Sequence, residues 1–152
     1  MTGSVFIAAT LLLCAACAGA PPPTGAGGEL KPCPASPNCV SSRATDQEHQ
    51  VDPLPLRGSA AEGLAALRQV MLAMPRSRIV AEGPGFLHAE FRSAVFRFVD
   101  DVEAVADAVA GVIHIRSAAR VGHSDMGVNR RRVGEIRDRL AALQPPAAAA
   151  KP

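Results

Sequence analysis

The stretch Phe86-Leu-His-Ala-Glu-Phe-Arg92 decides the fold. Leu87, Ala89 and Phe91 alternate with His88, Glu90 and Arg92, and a period of two sends the two sets to opposite faces of a β-strand. Immediately upstream, Gly83-Pro84-Gly85 reads as a turn and Ile79-Val80-Ala81 as the other arm of a hairpin. Downstream, Ser93-Ala94 predicts a short connection to a strand over 95–105, in which Phe96, Phe98 and Val102 oppose Arg97, Asp101 and Glu103. A further strand over 112–116 follows Gly111, with Ile113 and Ile115 opposing His114 and Arg116. One sheet face is therefore apolar. The other collects Glu90, Asp101, Glu103, Arg92, Arg97, Arg116, His88 and His114.

Helices flank the strands. Ser59-Ala-Ala-Glu62 is a capping box, in which hydroxyl and carboxylate each satisfy an orphan backbone donor. Leu64, Leu67, Met71 and Met74 then recur at helical spacing until Pro75. A second helix is expected from an N-cap near Asn129 to about Leu143, with Val133, Ile136, Leu140 and Leu143 as its stripe. Both stripes fit the apolar sheet face. The expected fold is α+β: two layers, an antiparallel sheet of about four to five strands, and two helices packed on one face.

With 152 residues the chain holds one domain of ordinary size, expected over 30–144, followed by a disordered tail over 145–152. The apolar content is rich in Ala, with 5 Phe and no Trp or Tyr. A net charge of +2 supplies no global field for nucleic acid. Arg greatly outnumbers Lys, which points to bidentate ion pairs more than to a solubilising coat. No Gly-rich phosphate loop and no aromatic stacking platform is present, so neither a nucleotide cofactor nor a nucleic acid is expected, and no metal site is assigned.

The N-terminus carries an address. Residues 5–18 are uncharged and apolar, and as helix they reach about 21 Å, short of a bilayer core. This length suits a signal-peptide h-region. Leu13-Cys14-Ala15-Ala16-Cys17 resembles a bacterial lipobox, which makes 1–16 a signal peptide and Cys17 the acylated N-terminus. Cys14 stands where Leu is usual, and the first four residues lack Lys and Arg; ordinary cleavage after Ala18 or Ala20 is the alternative. Residues 17–29 are rich in Pro and Gly and read as a tether of up to about 40 Å. Ala18, rather than Asp, after Cys17 points to an outer membrane with the domain facing the periplasm. In such an oxidising compartment Cys33 and Cys39 are expected to form a disulfide; metal ligation and free thiols are the alternatives.

Six motifs in order carry a resemblance: Cys33-Pro-Ala-Ser-Pro-Asn-Cys-Val-Ser-Ser42, His49 ahead of Pro53-Leu54, His88-Ala-Glu-Phe-Arg-Ser93, Phe98-Val-Asp-Asp-Val-Glu103, Arg116-Ser-Ala-Ala-Arg120 and Gly122-His-Ser-Asp-Met-Gly-Val-Asn-Arg130. They are similar to the signature of the domain of unknown function 1499 (DUF 1499), from about Leu30 to Leu143. The resemblance implies an exported or membrane-attached protein and no assigned activity. The chain departs from the pattern at Ala119, where the family often has Ser, at His123, where it often has Tyr, and near 104–106, where it often has aromatics.

Two readings of the polar face compete. Asp101 and Glu103, two apart on a strand, could work as an acid and base with His88 or His114 in a small periplasmic enzyme, or could bind Ca²⁺. Alternatively Arg92, Arg97, Arg116 and Arg120 neutralise them in a brace. An Arg-rich face also admits an anionic ligand, with Asp125, Asn129 and Arg130 as further candidates. His123-Ser124-Asp125 is not a triad, because adjacent side chains cannot form the relay, and it is expected to serve a turn or cap. The expected protein is a lipid-anchored envelope module that binds or braces an unidentified small anion or envelope protein.

Overall fold

The computed structural model describes residues 29–143, so the signal peptide, Cys17, all of the tether but its last residue, and the tail lie outside the described residues. Eight elements follow in order: β1 (Cys39–Ser41), β2 (Leu54–Pro55), α1 (Ala60–Ala73), β3 (Ser77–Gly83), β4 (Phe86–Arg92), β5 (Val99–Asp107), β6 (Val112–Ala119) and α2 (Val128–Leu143). The sheet runs β1-β6-β5-β4-β3, with β2 also on β6, and every strand pairing is antiparallel. This is the two-layer α+β fold.

The hairpin forms where the alternation places it. Gly83 pairs with Phe86 across Pro84-Gly85, and Gly85 has φ 84°, the positive value a type II turn requires at that position. α1 starts at the capping box: the Ser59 Oγ accepts from the Glu62 backbone N–H, and the Glu62 carboxylate accepts from the Ser59 N–H at 2.8 Å. The core lies between helices and sheet, with Leu67, Met71, Ala89, Val102, Ile113, Ile115, Val133, Ile136 and Leu140 buried. Among the described residues no helix is long and apolar enough to cross a membrane.

The connection between β4 and β5 differs from expectation. Pairing begins at Arg92↔Val99, so 93–98 is a loop rather than the start of a strand. Ser93 and Phe98 close it: the Ser93 N–H donates to the Phe98 carbonyl, and the Phe98 N–H to Ser93 Oγ, both at 2.9 Å. Phe96 and Phe98 therefore do not join the core as the alternation implied; they are 74% and 52% exposed. α2 also differs at its start. Asn129 is inside the first turn and fully buried, and Asp125 caps instead, accepting from the N–H groups of Gly127 and Asn129 at 2.9 and 2.7 Å.

Candidate functional site

The strand register builds a polar cluster on the outer sheet face. Glu90 lies directly opposite Asp101 on the neighbouring strand, and two carboxylates in that position repel. Arg120 resolves the conflict. Its Nη2 donates to Glu90 Oε1 at 2.6 Å and to Asp101 Oδ1 at 2.7 Å, and its Nε reaches Asp101 Oδ2 at 2.7 Å. Ala118, opposite Asp101 on β6, has too short a side chain to block this reach. Arg78, on β3 and opposite Glu90, adds a bond to Oε2 at 2.7 Å, while Arg92 contributes a long one at 3.4 Å. Glu103 accepts from its cross-strand neighbour Arg116 at 2.9 Å.

Burial alone would push both the Asp101 and Glu90 carboxyls up. For Asp101 the bonds from Arg120 and His88 outweigh it and hold the group at about 2. For Glu90, Arg78 and Arg120 do the same and hold it below the usual range. Arg120 is in turn held in its charged form, chiefly by Asp101. Glu90 is 1% exposed and still ionised, which only such pairing allows.

Of the two histidines raised by the sequence, His88 belongs here: its Nε2 is 2.7 Å from Asp101 Oδ1. His114 does not. It lies opposite Val105, beside Ser42 Oγ at 3.2 Å and Asp107 at 3.8 Å, and burial, with Arg43, holds its pKa down. Arg97, in the exposed loop, pairs with no carboxylate among the described residues. His49 is a buried structural group between Asp46 at 2.7 Å and the Ser36 carbonyl at 3.2 Å. A hollow of about 180 Å³ opens over the cluster, lined by His88, Asp101, Glu103, Arg116 and Arg120 together with Lys31 and the small Ala118 and Ala119. Arg116 Nε is buried without a hydrogen-bond partner.

A second polar network lies on the helix side of the sheet. Asp100 precedes Asp101 by one residue and so points the other way, where Arg132 of α2 meets it at 2.6 Å. The same guanidinium reaches Asn129 Oδ1 at 2.5 Å and stacks over the Phe91 ring at 4.9 Å. Ser117 Oγ donates to Asn129 Oδ1 at 2.6 Å, and Asn129 Nδ2 donates to the Asn38 carbonyl at 3.1 Å. The ligand candidates are thereby divided: Arg92, Arg116 and Arg120 face outward, Asn129 faces inward, and Asp125 is occupied as a cap. Arg130 donates to the Glu48 and Gln50 carbonyls at 2.6 and 2.7 Å.

Sequence reasoning missed Arg78, Asn38, Ser117 and the Asp100–Arg132 pair. The last was within reach, because strand alternation turns Asp100 inward and a buried carboxylate demands a cation. Among the described residues, no group of three or more His, Cys, Asp or Glu side chains converges as a metal site. A larger groove of about 490 Å³ between α1 and the β3–β4 turn is mainly apolar, and its Arg68 and Glu82 bridge each other at 2.9 Å.

The Cys33–Cys39 disulfide holds the segment that leads into β1. No curated protein matches the chain. Residues 29–140 match the model of a family described as protein of unknown function (DUF1499), and with that span, covering most of the chain, the protein belongs to this family.

Proposed function

We propose that this protein is a non-catalytic module of the bacterial cell envelope, held to a membrane by acylated Cys17, whose domain binds or braces a partner. One observation carries the non-catalytic part: Glu90, Asp101 and Glu103 each accept from an Arg, and Arg120 staples two of them. A general base works best with a pKa near the ambient pH, whereas Asp101 is held at about 2. The hollow of about 180 Å³ is also smaller than the roughly 300 Å³ at which ordinary small-molecule pockets begin. The lipobox-like Ala15-Ala16-Cys17 and the Pro/Gly tether support the anchor, and Ala18 supports the outer membrane.

The test has two arms. Radiolabelled palmitate should enter the wild type and not Cys17→Ser; label in both or in neither removes the anchor. Asp101→Asn and Glu103→Gln should both lose stability, and a mutant as stable as wild type removes the brace.

Arg116 Nε favours a second reading, in which a small carboxylate or phosphate occupies the hollow and supplies the missing acceptor. Calorimetric titration with acetate and inorganic phosphate tests it, and heat lost in Arg116→Gln supports it.

A further inference from the structure

One end of the fold carries five of the nine large apolar side chains exposed among the described residues. At the Val99 end of β5, three connections emerge together: α1 to β3, β4 to β5 and β6 to α2. They carry Val95 and Phe96, 79% and 74% exposed, Phe98, Val121, and Met126, which is 87% exposed. Phe96 and Phe98 stack on each other, ring centroids 5.5 Å apart, in open solvent. Among the described residues, the non-glycine residues with positive φ fall one in each connection, Arg76, Arg97 and Met126. All three residues are exposed.

The unpaired charges at this end are mainly positive. Arg76 and Arg97 in the connections and Arg131 at the start of α2 form no ion pair with a carboxylate among the described residues, whereas Arg120 is neutralised by Glu90 and Asp101; the one acid of the connections, Asp125, keeps its negative charge while it caps α2. Arg76 donates to the Arg92 carbonyl, and Arg131 at the start of α2 to the Met126 carbonyl, so neither charge is cancelled by that bond. Apolar side chains ringed by cations are what a protein presents to the headgroup layer of an anionic bilayer. The tether ends at Glu29, two residues before Lys31, which lines the hollow over the Arg–carboxylate cluster, and the segment that follows is tied to this end where Asn38 Nδ2 donates to the Gly122 carbonyl at 2.6 Å.

We propose that this end, with Phe96, Phe98 and Arg97 at its centre, docks onto an anionic phospholipid surface and sets the orientation of the domain on the membrane. The orientation rests on the anchored reading above, but the docking contact is testable without it. A lipid on Cys17 would hold the domain within about 40 Å of the bilayer, so even a weak contact is populated. The outer sheet face with its Arg–carboxylate cluster then stands roughly upright beside the membrane.

The protein has no Trp, so Phe96→Trp introduces a single reporter at an exposed position, and Val109→Trp places one at the opposite end of the sheet. The full-length chain carrying either change is mixed with phosphatidylglycerol–phosphatidylethanolamine vesicles, with and without brominated acyl chains. The Phe96→Trp indole should shift to shorter wavelength and be quenched by bromine, while the Val109→Trp indole stays in water. Adding Arg97→Gln to Phe96→Trp should weaken vesicle partitioning about fivefold, as expected for one cation near the surface. An unmoved Phe96→Trp indole in a chain that takes up palmitate overturns the docking and leaves the anchor standing. Equal shifts of both indoles, an equal response to neutral phosphatidylcholine, or a shift that grows with protein concentration without lipid each overturn it as well. The last would identify a second copy as the occupant.

Discussion

Asp101→Asn should cost the fold about 3 kcal/mol at pH 7. The carboxylate takes two bonds from Arg120 and one from His88, all at 2.7 Å, with its side chain 12% exposed. Lowering a carboxyl from 3.8 to about 2 is worth roughly 2 kcal/mol, at 1.36 kcal/mol per tenfold. An Asn amide offers one acceptor in place of two, which strips Arg120 of a bidentate partner and leaves it to Glu90, adding to the loss. Because the folded pKa is depressed, the charge contribution is complete above the unfolded value near 3.8 and is lost as pH falls toward 2. Mutant and wild type should therefore differ most at neutral pH and converge below about pH 2–3. In urea the midpoint should fall by about 1–2 M with an unchanged slope. Unchanged or raised stability at pH 7 refutes the brace. A gap that persists at pH 2 would show that packing, not charge, carries the loss. Glu103→Gln is the companion, since Arg116, 13% exposed, then loses a carboxylate while its Nε already lacks a partner.

Asn129→Ala should cost about 2–3 kcal/mol, because it removes the acceptor of the buried Ser117 Oγ–H, one bond of Arg132 and one of the two bonds to the Asn38 carbonyl, which keeps the Ala119 N–H; thermal denaturation reads this, and a loss below 1 kcal/mol counts against it. Reducing Cys33–Cys39 should lower stability by roughly 2 kcal/mol for so short a loop. Intact mass should place the native domain two hydrogens below its reduced form, and two freely alkylated thiols without reductant would contradict the pairing.

The hairpin, the two helices and the division of the sheet into an apolar and a charged face were legible from periodicity alone. Alternation at Leu87, Ala89 and Phe91 fixes a face whatever lies above it, and the Ser59–Glu62 box is closed by groups three residues apart. The disulfide, too, was legible, since a short loop keeps Cys33 and Cys39 close. Tertiary structure decided the rest. β1 and β2, three and two residues long, are too short to show a period and exist because β6 offers them its backbone. Phe96 and Phe98 keep the alternation of a strand but lie ahead of the Arg92↔Val99 pair, in a loop that Ser93 and Phe98 close on each other. That Asp100 turns inward and needs a cation was within reach of the alternation, but which Arg serves it, and the choice of Arg120 for Glu90 and Asp101, were not. An Arg side chain spans more than the roughly 4.8 Å between strands, so several carboxylates lie within its reach and only the assembled register selects among them.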